Sequence, residues 1–478
     1  VVSPAVVSLT DVLPTVCEMS GLMPPTQIQG RSLVPFFFKP DRPSDRLAYS
    51  ETFYPRFHYG WSELQSFRDD RYKIILSPEP ELYDLSLDPG ETTNIIEKQR
   101  SVFLALNDRA ADFIKAAPQD SYKLDFSKVD EETQAKLAAL GYIGSFSNPE
   151  KLKGKRLASP RNKIGIFNEL SRAREIGLEG DAQEAIGIFR RIIAEDPEIT
   201  DAYFSLGNVY FKTGKYEEAI QAFRQSLERK PDDSFTVINI ANSYVAMGRF
   251  AEAERFVLEY IDSGFSDPQL YFLLGNMNFH RKNYEAAVPY LKKCLSLNAQ
   301  SASSHNTLAA IFIIENDLGP AQEHLDAARR LNPRLSNLNY NQAQLLENRG
   351  EVAAAVAAYE EELVQSPKHF KAMFNLSRLF RRTGEEGRER EILRRCLEVN
   401  PDFPLAYFYL ARIHLNRGEN LEEAVRLVQR GIELKPEPQD LPLGYFLLAD
   451  LYNRLGENGR SADAAQRGRE LAARLPRQ

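Results

Sequence analysis

The sequence predicts a mainly α protein: a solenoid of stacked helix pairs, preceded by a small α+β region. Three regularities carry that prediction. Gly207, Ala241, Gly275, Ala309, Ala343, Ser377 and Ala411 are each 34 positions apart. Ala219, Ala253, Ala287, Ala321 and Ala355 keep the same interval, as do Pro333, Pro367 and Pro401, with Pro197 and Pro231 in register. Small residues at two fixed phases let paired helix backbones approach closely. A proline at the third phase ends the second helix, because it lacks an N–H and clashes with the preceding turn.

A chain of 478 residues is too long for one compact core. Its 43% hydrophobic and 27% charged content suits a globular or solenoid protein, and a net charge of −7 offers no basic footprint for nucleic acid. No apolar run is long enough to span a membrane. Cys17, Cys294 and Cys396 lie far apart. Cys294 and Cys396 share a small-residue phase, so the thiols read as buried and structural. The chain starts at Val1 with neither an initiating methionine nor a signal peptide, which suggests a fragment, a processed product or an incomplete reading frame.

In the first 145 residues, Ser8 or Thr10 is placed to cap a helix to about Ser20, with Val12, Leu13, Val16 and Met19 on one face and Gly21 as the stop. Residues 63–67, 72–76 and 81–85 read as strands of a small antiparallel sheet, the last followed by the turn Asp88-Pro89-Gly90-Glu91. A helix from about Thr93 to Ala117, carrying Phe103, Leu106, Ala110 and Phe113, packs on that sheet. Residues 146–163 are polar and basic with two prolines and read as a connector to an array over 164–478.

The period, the small residues and the closing proline resemble the tetratricopeptide repeat over roughly residues 166–476. The second repeat is the cleanest, with Leu206, Gly207, Tyr210, Ala219, Phe223, Ser226 and Pro231 at the expected places. Repeats three and four have Phe265 and Ala299 where the proline belongs, and repeat eight gains a residue before Ala424. The resemblance implies a right-handed solenoid of about nine repeats, whose first helices line a concave groove. Positions five and nine of each repeat then point inward. Phe204, Phe272, Tyr340, Phe374 and Phe408 occupy the former, and Asn208, Asn242, Asn276, Gln344, Arg378 and Arg412 the latter. They form either a groove for a protein or peptide ligand, or rings and amides that bond neighbouring helices. The chaperone-tail carboxylate clamp is matched only by Asn208 and Asn239, its basic positions holding Phe204, Gln269 and Leu273.

The segments VVSPAVVSLTDVLPTVCEMSGL (1–22), QGRSLVPFF (29–37), YSETFYP (49–55), RDDRYKIIL (68–76) and ELYDLSLDPGETTNI (81–95) resemble, in order and spacing, the C-terminal end of a sulfatase of the alkaline-phosphatase superfamily. LAALGYIG at 137–144 resembles the tail of members that continue into repeats. The family's nucleophile motif C/S-x-P-x-R is absent, since Glu-Met-Ser-Gly follows Cys17, and no Asp-His-Gly occurs. No catalytic or metal-ligating residue is assigned in this chain, and a divalent cation, calcium, is expected only in a full-length parent. The resemblance places residues 50–63 near the mouth of the active-site cleft, where Arg56, His58, Tyr59 and Trp61 would meet an anionic substrate. The other reading is a loop whose aromatics pack the small sheet.

Two functions follow from these resemblances. One is a non-catalytic interaction scaffold that docks a partner or self-associates. The other is the C-terminal part of a sulfuric ester hydrolase whose catalytic residues lie upstream of Val1. The same resemblance implies a bacterial parent, exported or membrane-associated, and apolar surface on the first region wherever its catalytic domain is missing.

Overall fold

The computed structural model describes residues 5–25, 28, 30–40, 46–116 and 157–475. The 137–144 segment, most of the connector and Pro476 lie outside them.

A turn of 3-10 helix at Leu9–Asp11 leads into α1 (Val12–Met19), and Ser8 forms a capping box with Asp11. Buried Asp11 also accepts from Arg31 N at 2.8 Å and Arg46 Nη1 at 2.8 Å, and Thr15 Oγ1 accepts from Leu33 N at 2.8 Å. These bonds tie α1 to the segment leading into α2 (Val34–Phe38). Gly30 is required there: a Cβ would fall 1.9 Å from the Thr10 carbonyl oxygen.

Strands β1 (Ala48–Thr52), β2 (Leu64–Arg68), β3 (Tyr72–Leu76) and β4 (Glu81–Asp84) form an antiparallel sheet in sequence order. β1 goes beyond the three strands read from sequence. It is an edge strand, half-exposed to exposed throughout, so its residues lack the apolar alternation that would announce it. Between β1 and β2 lies a short helix, α3 (Tyr54–Tyr59), closed by Gly60 at φ +70°. Phe67, Ile74 and Leu82 are cross-strand neighbours and fully buried, packed on Leu106 and Ala110 of α4 (Arg100–Ala116). α4 starts at Arg100 rather than Thr93 because the preceding residues serve β4. Leu82 N donates to Asn94 Oδ1 at 3.1 Å and Ile95 N to the Leu82 carbonyl at 2.9 Å. The Asp88 turn is present, its carboxylate accepting from Thr92 N (2.7 Å) and Thr93 N (2.8 Å).

Nine helix pairs follow among the described residues. The first three are α5 (Ile164–Glu179) with α6 (Ala182–Glu195), α7 (Thr200–Lys212) with α8 (Tyr216–Arg229), and α9 (Ser234–Ala246) with α10 (Phe250–Asp262). Next come α11 (Pro268–His280) with α12 (Tyr284–Leu297), α13 (Ala302–Ile314) with α14 (Leu318–Leu331), and α15 (Leu338–Asn348) with α16 (Val352–Gln365). The last three are α17 (Phe370–Thr383) with α18 (Glu386–Val399), α19 (Pro404–Arg417) with α20 (Leu421–Glu433), and α21 (Leu441–Arg454) with α22 (Asn458–Ala473). The chain divides into two compact units within α11, between Leu270 and Tyr271.

The 34-residue rhythm has a direct physical cause. Ala219, Ala241, Ala253, Ala287, Ala309, Ala321, Ala343, Ala355, Ser377 and Ala411 are all fully buried. In the first unit, a Cβ on Gly207 would stand 2.5 Å from the Phe223 ring; in the second, one on Gly275 would stand 2.6 Å from Leu291. The extra residue of repeat eight is absorbed by Asn420, which turns left-handed at φ 50° just before α20. Cys17, Cys294 and Cys396 are buried thiols, and burial pushes the Cys396 thiol up to about 12.

Candidate functional site

The segment around α3 does not form an open cleft in this chain. It is seated on the first repeats. Tyr59 and Trp61 are 3% and 4% exposed and share a core with Ile166 and Leu170 of α5 and Ala202 and Leu206 of α7. Trp61 Nε1 donates to Asp196 Oδ2 at 3.4 Å, and Lys163 Nζ reaches the same carboxylate at 3.0 Å. His58 is buried with Nδ1 3.5 Å from Asp201 Oδ2, which Arg174 Nη2 also meets at 2.9 Å. Burial weighs against the Arg174 charge, yet Asp201 outweighs it and holds the guanidinium above its ordinary range. Burial likewise raises the Tyr59 phenol. Arg56 is half-buried and paired with Glu63 at 2.8 Å. Two further links close the seam: Arg161 to Glu81 at 2.8 Å, and Ser62 N to the Ala158 carbonyl at 2.9 Å. Asp201 and Arg174 were not legible in the sequence, because Arg174 sits on the neighbouring repeat and His58, which shares the Asp201 carboxylate, lies far back in the chain.

The other candidate residues lie on the first helices of the repeats, within each of the two units. Phe204, Phe272 and Tyr340 are half-buried, whereas Phe374 is buried and Phe408 fully so. Phe408 is a core residue of the last repeats: a Cβ on Gly431 would be 2.5 Å from its ring and one on Gly444 2.7 Å. Tyr340 stacks on His369 at 4.8 Å, and its hydroxyl accepts from Asn375 Nδ2 at 3.2 Å. Phe374 meets Tyr409 edge-on at 4.9 Å.

The amides divide into two groups. Asn278, Asn306, Asn341 and Asn375 bond the protein, through the Leu274 carbonyl, the Ser336 carbonyl, Asn306 and two tyrosine hydroxyls respectively. Asn208, Asn242, Asn276 and Gln344, all at position nine, are half-exposed, and among the described residues their side chains make no hydrogen bond. Arg378 at that position lies 3.5 Å from Glu347. Arg412 sits over the Tyr409 ring at 4.1 Å, its charge disfavoured by burial and by neighbouring Arg381. Tyr409, one residue beyond position five, was missed because the adjacent Phe408 occupies the expected phase.

Among the described residues no group of three or more His, Cys, Asp or Glu is placed to hold a metal ion, and no helix is long and apolar enough to cross a membrane.

Comparison with known proteins assigns both regions. Residues 2–113 match the family described as N-sulphoglucosamine sulphohydrolase, C-terminal. Tetratricopeptide-repeat models match residues 200–233, 238–302, 316–370 and 340–396. The chain joins a sulfatase-type C-terminal region to tetratricopeptide repeats. Its repeats are similar to a tetratricopeptide repeat protein 21 homolog of Caenorhabditis elegans, 26% identical over 129 residues, which is 27% of this chain and 10% of that protein. They are also similar to the tetratricopeptide repeat-containing protein trd-1 of Caenorhabditis elegans, 23% identical over 192 residues, 39% of this chain and 24% of that one. The chain thus spans a small part of the curated relatives it matches. Among solved structures, the APC/C hetero-tetramer Cut9-Hcn1 aligns with a TM-score of 0.46 at 14% identity, covering 59% of this chain and 55% of that one. YrrB, titled a TPR protein with an unusual peptide-binding site, aligns at 0.30 and 20% identity over 38% of this chain and 95% of its own.

Proposed function

We propose that this chain is a protein-interaction scaffold: a tetratricopeptide array whose concave groove takes a protein or peptide segment, carried on a non-catalytic sulfatase-type region. The division into a sulfatase-type region at 1–145, a connector at 146–163 and an array from 164 is part of this proposal. The observation that carries it is the row of uncommitted amides. A half-exposed amide without a protein partner keeps both donor and acceptor for a ligand backbone. Asn208 and Asn242 in the first unit, and Asn276 and Gln344 in the second, are in that state at one helical phase, with the half-buried rings of Phe204 in the one and of Phe272 and Tyr340 in the other one turn away. A peptide backbone laid along the amides of either unit gains hydrogen bonds from them and apolar contact from the rings. The test is capture of binding partners by the full chain against a variant with Asn208, Asn242 and Asn276 all changed to Leu. The expected result is loss of captured partners with an unchanged melting curve; undiminished capture would sink the reading.

A second reading rests on α1. Val12, Leu13, Val16 and Met19 are 52%, 48%, 53% and 68% exposed, an apolar stripe of the kind that covers a larger domain. It supports a chain that completes a metal-dependent sulfuric ester hydrolase whose catalytic residues lie on preceding sequence. Aryl sulfate hydrolysis by the protein extended upstream of Val1, and its loss on Val16→Asp, is the outcome this reading requires.

A further inference from the structure

Some arginines of repeats six to eight are matched to acids. Arg388 bonds Glu385 at 2.6 Å, Arg390 bonds Glu419 at 3.1 Å, and Arg378 faces Glu347 at 3.5 Å. Two are not. Arg381 is exposed and, among the described residues, makes no ion pair. Arg412 is half-buried, and its Nη2 is buried with no hydrogen-bond partner. Both guanidinium groups approach the Tyr409 ring, at 5.1 and 4.1 Å from its centroid. Glu389 of α18 is the buried acid whose field reaches both, but it is 3% exposed, its Oε1 makes no hydrogen bond, and burial raises its pKa. One carboxyl group cannot balance two guanidinium charges. Arg382 and Lys371, also exposed and unpaired among the described residues, add to the excess on the same helix, α17.

We propose that repeats seven and eight bind a carboxylate side chain of an acidic peptide, held by Arg381 and Arg412 beside the ring of Tyr409. This deepens the scaffold reading and rests on it. An incoming carboxylate beside the two guanidinium groups supplies them with a counter-charge and relieves the repulsion between them. Arginine is suited to this because its planar fork meets both carboxylate oxygens and stacks on an aromatic ring without losing its charge. The wall beside the site is apolar: Phe374 lies 4.9 Å from Tyr409 and 5.1 Å from Phe403. Rings placed there take up the aliphatic part of a Glu side chain, and Gln344 on the neighbouring repeat offers its unspent amide to the peptide backbone. These features favour a peptide over an anionic polysaccharide.

The experiment is fluorescence anisotropy of the full chain with a labelled ten-residue peptide of alternating Glu and Ala, its Gln counterpart, and a labelled sulfated oligosaccharide. The Glu peptide is expected to bind at least tenfold more tightly than the Gln peptide. The Arg381→Gln, Arg412→Gln double variant should lose that difference, while Arg388→Gln keeps it and all three proteins melt alike. Equal binding of Glu and Gln peptides would overturn the charge assignment and leave the scaffold reading standing. So would Glu selectivity that survives in the double variant. Binding of the oligosaccharide alone, abolished by the double variant, would overturn the choice of ligand class. Failure of every peptide, with partner capture also absent, would overturn this inference and the scaffold reading together.

Discussion

Gly207 was visible in the sequence as a beat, and the structure supplies its cause in the Phe223 ring, 2.5 Å from where a Cβ would stand. Gly207→Ala should therefore destabilise the chain by about 1–3 kcal/mol through overpacking, read as a lowered melting temperature. Gly319→Ala, with nothing within 4 Å, should not. The His305–His324 pair was not legible, because nineteen residues and a helix turn separate rings whose Nδ1 atoms meet at 2.8 Å. Burial and the field of His305 lower the His324 pKa from 6.5 to about 4. The unfolded chain takes up this proton near pH 6.5, whereas the folded chain holds it off until about 4. Stability falls as pH drops through that window and levels off below it. His324→Gln should flatten the melting temperature between pH 7 and 4 relative to the parent; an unchanged slope would contradict the assignment.

At the scale of elements, the helix pairs could be written down from periodicity alone, since each must bury one face against its neighbour. The short helix α3 could not. Its residues announce aromatics and an arginine, which suit a substrate cleft as well as a packing seam, and only tertiary contact separates the two. Asp201 decides the matter on the array side: it is 4% exposed and faces both Arg174 and His58. Asp201→Ala leaves Arg174 without its counter-charge and should cost about 3 kcal/mol. The accompanying Asp201→Asn, Arg174→Gln pair should recover part of that loss. A single variant as stable as the parent in urea would show that the seam does not depend on the ion pair. The missed edge strand β1 teaches a related point. Edge strands carry polar residues because their exposed side faces water, so the alternation that signals a strand is weakest there.

For the whole chain, the presence of a sulfatase-type region ahead of repeats was legible from motif order, whereas the stripe on α1 acquires its meaning only from exposure. Leu9 at 89%, Leu22 at 65% and Met23 at 92% extend it. Apolar surface of this extent promotes self-association. The chain should therefore sediment with a concentration-dependent mass, and Leu13→Glu with Val16→Glu should return it to the monomer. Sedimentation that ignores both substitutions would place any association elsewhere.

Trp61, the single tryptophan of the chain, lies inside the seam where α3 meets the first repeats. The molecule consequently carries its own optical gauge of that junction. Indole emission should stay blue-shifted while the two regions remain joined and move to the red when water reaches the ring. Melting confined to residues 271–475 would leave that signal unchanged. A single unlabelled fluorescence trace can thus time the parting of the sulfatase-type region from its repeats, separately from the unravelling of the repeats beyond.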